Sequence, residues 1–448
     1  MTFQPAPPSA RRLALGVFAL LLVVYNLNGR ETGTTDSQPA KFTAREVAVR
    51  GTLTLDAVVA QFPGLGERPA FARDRQGHVR SAYPLLPALI AAVPATILQR
   101  TGVVDMDAPL APNLIAALTA STLTAAACAL LCLALLRLVT PRAAVATTMV
   151  LGLGTNYWAL VSQTLWQHET VAFGLALALW AWLRPADELR GATPWLGGLG
   201  LAMAGAARPQ VTPLVVVLLA WFAARTSPRA VLRPALVVGL AGATVVATNL
   251  WWFGHPLGAT PRLEALHPVV HGVAGSLSRT PWIGALGLLV SPSRGLLVFS
   301  PVVLVALAGV GPLRGSDWQP RWLLIALGVQ FAAYAAYTVW WAGHTWGPRY
   351  LLDLLPLATP FAAAGGARLW RAPTGRAVIG LLTAWSVVVA GLGAFVYPNE
   401  NWNSAPAGVD LHHERLWDVG DSQILRAMRS APSPQNFSLW DRAAIRRP

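Results

Sequence analysis

Residues 110–136 read LAPNLIAALTASTLTAAACALLCLALL, 27 positions without one charged side chain, and the reading of this stretch decides the fold. As an α-helix it would be roughly 40 Å long, more than the ~30 Å hydrocarbon core of a bilayer. It lacks the apolar/polar alternation of a barrel strand, which sets aside a porin-like architecture. Further apolar runs lie at 235–253, 322–341 and 377–396. With 54% hydrophobic and 12% charged residues among 448, the chain has too little polar surface to coat a water-soluble globule. We therefore expect an all-α protein, a polytopic transmembrane bundle of about 10 to 13 helices in the inner (plasma) membrane.

The formal charge of +14 suggests nucleic acid, but the arginines sit in short clusters between apolar runs and form no continuous basic face, so no nucleic-acid partner is expected. Topology explains them better. Positive-inside bookkeeping puts Arg137 with Arg142, Arg184 with Arg190, Arg225 with Arg229 and Arg233, Arg314 with Arg321, and Arg368 with Arg371 and Arg376 in the cytoplasm. Arg208, Arg262, Arg279, Arg294 and Arg349 then fall on the side where the rule disfavours them. Residues 13–27 follow Arg11 and Arg12 as in a signal peptide, yet Tyr25-Asn26-Leu27-Asn28 offers no small-residue cleavage site, so a retained first helix is expected. Residues 83–99, with Pro84, Pro87 and Pro94, read either as a crossing or as a broken, re-entrant segment.

Residues 30–82 carry many charges and are expected as a large first extracytoplasmic loop, with short amphipathic helices at 39–50 and 55–62 lying on the membrane surface. The chain divides into a membrane domain at 1–396, which includes that loop, and a small polar extracytoplasmic segment at 397–448. A recurrent device, Trp251-Trp252-Phe253-Gly254-His255 and Trp340-Trp341-Ala342-Gly343-His344, is expected at two outer helix ends. Cys128 and Cys132, one turn apart in an apolar run, read as packing residues.

All eight histidines fall in the expected outer connections, which points to a site on that face. Asp36, in Gly33-Thr34-Thr35-Asp36-Ser37 just beyond the first helix, is the candidate general base; the residues alone leave open that it only caps a surface helix. Arg208, Arg294 and Arg349 are candidate phosphate ligands, with snorkelling to lipid headgroups as the competing explanation. His267 and His271 have metal-ligand spacing, but Pro268 lies between them and no third ligand is near, so no metal-binding residue is assigned. Asp353 is expected to pair with Arg349, one turn away. No Walker loop, dinucleotide fingerprint or hydrolase elbow is present.

Asn28-Gly29-Arg30-Glu31 followed by Thr35-Asp36-Ser37, Ser81-Ala82-Tyr83-Pro84, the stretch 162–168 ending in Trp166-Gln167-His168, Ser291-Pro292-Ser293-Arg294-Gly295-Leu296 and Trp346-Gly347-Pro348-Arg349-Tyr350 resemble the GT-C type membrane glycosyltransferases that use polyprenyl-phosphate sugars, related to protein mannosyltransferases and aminoarabinose transferases. The resemblance covers most of the chain. It implies sugar transfer with inversion at the extracytoplasmic face, from a polyprenyl-phosphate donor to a hydroxyl of a glycan, lipid or protein. Asp36 would be the base, with Glu31 the nearby alternative. Lys41, Arg45, Arg294 and Arg349, with Arg208, would hold the phosphate; Tyr83, Trp166, His168, His255, Trp341, His344, Trp346 and Tyr350 would line the substrate site. The acid doublet common in that family's first loop is absent here, which leaves a divalent cation and the identity of the base open. A lipid-linked saccharide flippase and a non-catalytic assembly partner are the alternatives; a flippase should place its charges at mid-membrane.

Overall fold

A computed structural model describes residues 3–5 and 7–441. The protein is helical, and three of its described helices are long and apolar enough to cross a membrane: Ala111–Leu135, Leu232–Phe253 and Pro373–Phe395. Ala111–Leu135 is central. Its free cysteines Cys128 and Cys132 are buried in the main apolar core with Tyr25, Leu131 and Ala134. Leu232–Phe253 is peripheral, with Leu232, Leu236 and Leu240 exposed; their spacing of four puts them on one face that meets no protein.

Other apolar runs give shorter helices. The first, Ala10–Tyr25, ends where Asn26 donates its side-chain amide back to the Leu22 carbonyl at 2.8 Å. His168–Trp182 packs against Thr193–Ala207 through Gly174 and Gly200, where a Cβ on either would run into the other's backbone carbonyl. The run at 322–341 is helical only over Arg321–Ala335. Trp340 and Trp341 therefore lie in a loop, with Ala342 and Gly343 both at positive φ (62° and 65°), and not at a helix end. The matching Trp251-Trp252 pair does end a helix, closed by Gly254 at φ 71°.

The segment 30–82 departs from expectation twice. Gln38–Arg50 is a helix, but it buries Lys41, Arg45 and Glu46 and shares an apolar cluster, through Ala40 and Ala44, with Ala88, Ala91 and Ala95 of Leu86–Arg100. It is packed between protein elements and does not lie on a surface. Leu86–Arg100, 15 residues with Pro94 inside, is about 21 Å long, short of a bilayer core.

The segment also holds a short antiparallel hairpin, Phe71–Arg73 with Val79–Ser81, within an otherwise helical chain. Its turn is built by Asp74, whose Oδ1 accepts the backbone N–H of Gln76 and of His78 at 2.9 Å, with Gly77 at φ 89°. Burial by itself would raise the Asp74 carboxyl, but the Arg80 hydrogen bond and those two backbone donors outweigh it and hold the group below its ordinary value.

The C-terminal segment is stitched to the body. Phe437 N–H donates to Asn28 O at 2.7 Å and Leu439 N–H to Gly29 O at 2.8 Å. At the opposite end of His168–Trp182, Arg137 donates to the carbonyls of Trp180 and Leu183, and Arg225 to those of Trp182 and Arg184. The carbonyl end of that helix is thus capped by arginines expected on the cytoplasmic side, about 21 Å from His168.

Candidate functional site

The chain leaves the first helix through a tightly held strap. Asn28 donates to Gln163 Oε1 and Ala394 O, and Arg30 to the carbonyls of Ala394 and Tyr397. Glu31 then meets Lys41 Nζ at 3.0 Å and the Thr164 hydroxyl at 2.5 Å. Thr35–Ser37 makes a single tight turn, closed by the Ser37 hydroxyl on Thr34 O, and runs into Gln38–Arg50 with Pro39 in its first turn. This fixes Asp36 on a rigid turn with its carboxylate 39% exposed.

Two residues hold that carboxylate. The Tyr83 hydroxyl donates to Oδ1 at 2.9 Å, and both Nη atoms of Arg349 reach Oδ2 at 3.3 Å. Arg349 is placed by Trp346 and Gly347. The Trp346 ring is packed edge-on to Phe299, its carbonyl accepts from Asn156 at 2.7 Å, and Gly347 adopts φ 61° to turn the chain. The Arg349 guanidinium lies 4.9 Å over the Trp166 ring, and its Nε is buried without a partner.

Tyr350 links this corner to a second cation: the Arg349 guanidinium is 5.8 Å from its ring centroid and that of Arg208 is 5.2 Å. Arg208 is tied by Nε to Asp353 Oδ2 at 3.1 Å, while its two Nη atoms have no protein acceptor among the described residues. Asp353 also takes His168 Nδ1 at 2.7 Å and the Tyr334 hydroxyl, and Tyr334 stacks on Tyr350 at 5.2 Å. Asp353 thus pairs with Arg208 and His168, not with Arg349 as its spacing suggested. Consecutive contacts run Asp36, Arg349, Tyr350, Arg208, Asp353, with the unpartnered Nε2 of His168 beyond.

Other candidates are employed elsewhere. Arg294 is fully buried, and its five N–H donors are matched by Trp341 O, Ser293 O, Gln423 Oε1, Gly343 O and Asn403 Oδ1, which leaves none for a phosphate. Lys41 is committed to Glu31, and Arg45 to Asp107 at 2.5 Å, Glu46, Gln61 and Met106 O. Trp341 donates to Asp410, which also pairs with His344 and His271. His255 is exposed and accepts from its own turn, at Leu257 N. Trp346 is a core residue.

Sequence reasoning passed over Tyr334 and Tyr337. Their signal was two hydroxyls three apart interrupting the apolar run 322–341. It also passed over Asp410, Asn403 and Gln423.

Glu31 and Asp36 do not fit a divalent cation. Glu31 is neutralised by Lys41 and Asp36 by Arg349, which leaves no pair of unengaged carboxylates for a hard cation. His267 and His271 meet edge to face at 5.4 Å, and among the described residues no group of three or more His, Cys, Asp or Glu side chains is arranged to hold a metal ion. A groove of about 530 Å³ beside Lys41, Phe42 and Phe62 includes none of Asp36, Arg349 or Arg208 in its lining. Compared with known proteins, the chain matches no family model and no curated sequence.

Proposed function

We propose that this chain is a multi-pass inner-membrane glycosyltransferase of the GT-C type that moves a sugar from a polyprenyl-phosphate donor to an acceptor hydroxyl on a glycan, lipid or protein, with inversion. The observation that carries the reading is the partly exposed Asp36 carboxylate against Arg349, with a second under-used guanidinium, Arg208, across Tyr350. The arginine-capped end of His168–Trp182, far from this corner, fits a cytoplasmic face and supports the reading of a site at the opposite, extracytoplasmic edge.

In the reaction, the donor phosphate sits on Arg349, whose Nε–H has no protein partner, and on the Arg208 Nη groups beyond the pair that its Nε makes with Asp353. The phosphate competes with Asp36 for Arg349 and so releases the carboxylate. Asp36 takes the proton of the acceptor hydroxyl as that oxygen bonds to the anomeric carbon. The bond from that carbon to the phosphate oxygen breaks, and polyprenyl phosphate leaves with its charge neutralised by the two arginines. Tyr83 and Trp166 hold Asp36 and Arg349 in place throughout.

Purified protein in lipid nanodiscs is offered a panel of radiolabelled polyprenyl-phosphate sugars with membrane-extracted acceptors. Label passes from one of them to acceptor with the wild type and not with Asp36→Asn. Retention of every label on its lipid overturns the reading.

A further inference from the structure

Beside the Asp36 turn lies a second cavity, of about 110 Å³, which the reaction as described does not use. Gly33 and Thr34 form one wall; His344, Asn401, Asn403 and Ser404 supply most of the rest, with Tyr397 and Pro398 as its apolar patch. Its chemistry is neutral and mixed. Hydroxyl and amide groups offer donors and acceptors together, there is no carboxylate or guanidinium in the lining, and a ring and a proline present flat apolar surface. Thr34 Oγ1, the Asn401 amide and Ser404 Oγ make no hydrogen bond to protein among the described residues, so they are available to a ligand.

The wall from the C-terminal segment is built to hold its shape. Trp402 is fully buried, with the guanidinium of Arg294 5.1 Å from its ring and that of Arg415 4.8 Å away. Arg294 fixes Asn403 by donating to its Oδ1 at 2.6 Å, and Asn403 in turn donates to Thr345 O. Asn401 sits at φ 50°, a left-handed conformation that asparagine tolerates better than most residues, which turns the loop toward the cavity. Arg294 is therefore a positioning residue for this wall.

We propose that this cleft binds one neutral sugar ring of the acceptor and presents its hydroxyl to Asp36, an inference that rests on the transfer reaction above. The volume is too small for a nucleotide or a lipid tail and suits the end of a single ring. Neither Arg349 nor Arg208 lines it, so the phosphate end of the donor has no partner there. Asp36 itself does not line the cleft, but Thr34 is the residue on which the Thr35–Ser37 turn starts, so a ring resting on 33 and 34 meets the edge of the turn that carries the base.

The test is saturation-transfer NMR on the full chain in nanodiscs with methyl glycosides of glucose, mannose, galactose, N-acetylglucosamine and arabinose. At least one binds the wild type. Ser404→Phe, which fills the mouth from an exposed position, weakens it by about 10-fold or more. No binding by any glycoside, or binding indifferent to Ser404→Phe, overturns the proposal. The two readings fail separately. Glycoside binding through the cleft without any transfer removes the proposed reaction and keeps the cleft; transfer whose acceptor KM is unchanged by Ser404→Phe keeps the reaction and removes the cleft.

Discussion

Asp36 and Arg349, 313 positions apart in the chain, meet with both guanidinium Nη atoms 3.3 Å from one carboxylate oxygen. Glu31, five residues earlier, is held by Lys41 and Thr164. These two acids therefore sit in different settings, and different effects of their removal are expected. Asp36→Asn is expected to lower kcat by about 10²–10⁴-fold, the range of a lost general base, with donor affinity retained. Glu31→Gln, which still accepts from Thr164 and Lys41, costs about 1–2 kcal/mol of stability and leaves the rate per folded molecule within about threefold. Transfer rates normalised to folded protein distinguish the two.

Arg294 is a structural cation. Arg294→Ala strips partners from five acceptors in the core and is expected to destabilise the protein by about 3 kcal/mol or more, read as a fall in Tm of the purified protein. Affinity of the remaining folded fraction for a polyprenyl phosphate is unchanged. A variant of normal Tm that has lost phosphate affinity would reverse the assignment.

Gly347 turns the chain at φ 61° two residues before Arg349, and a Cβ there would lie 2.5 Å from Phe299 Cδ1 and 2.8 Å from Asn156 Nδ2. Gly347→Ala combines left-handed strain with that clash, for a cost of about 1–3 kcal/mol. Because Arg349 shifts with the turn, transfer falls together with Tm, whereas Gly77→Ala at the hairpin lowers only local stability.

Asp74 gives the hairpin a pH dependence of known sign. Its folded carboxyl titrates below its ordinary value, so its stabilisation is full above roughly pH 4 and is lost as the pH falls through the folded value. Amide protection factors across 71–81, taken against the intrinsic rate at each pH, are expected to fall on acidification in that range. Asp74→Asn flattens the dependence and leaves exchange faster at neutral pH, because the charge paired with Arg80 is gone.

The helical class and the Asp36–Arg349 corner were legible in the sequence because both rest on residue chemistry: an uncharged 27-residue run, and charges where topology disfavours them. Partner choice was not. Arg294 and Arg349 share the same Arg-after-small-residue pattern, yet one is saturated by carbonyls and amides from the C-terminal segment and the other is not, a difference set by tertiary packing. Asp353 looked paired with Arg349 by helical spacing, but residues 350–354 form a tighter turn and the carboxylate faces Arg208 and His168 instead. The hairpin did have a local signal, Asp74-Arg75-Gln76-Gly77, obscured by the charges around it.

The most direct measurement is the affinity of a polyprenyl monophosphate for wild type, Arg349→Ala and Arg208→Ala in native mass spectrometry from nanodiscs. Each substitution should weaken binding by about 10-fold or more, since each removes a charge-assisted fork on the phosphate. Equal affinity in all three proteins, each folded, would contradict a phosphate seated on these two arginines.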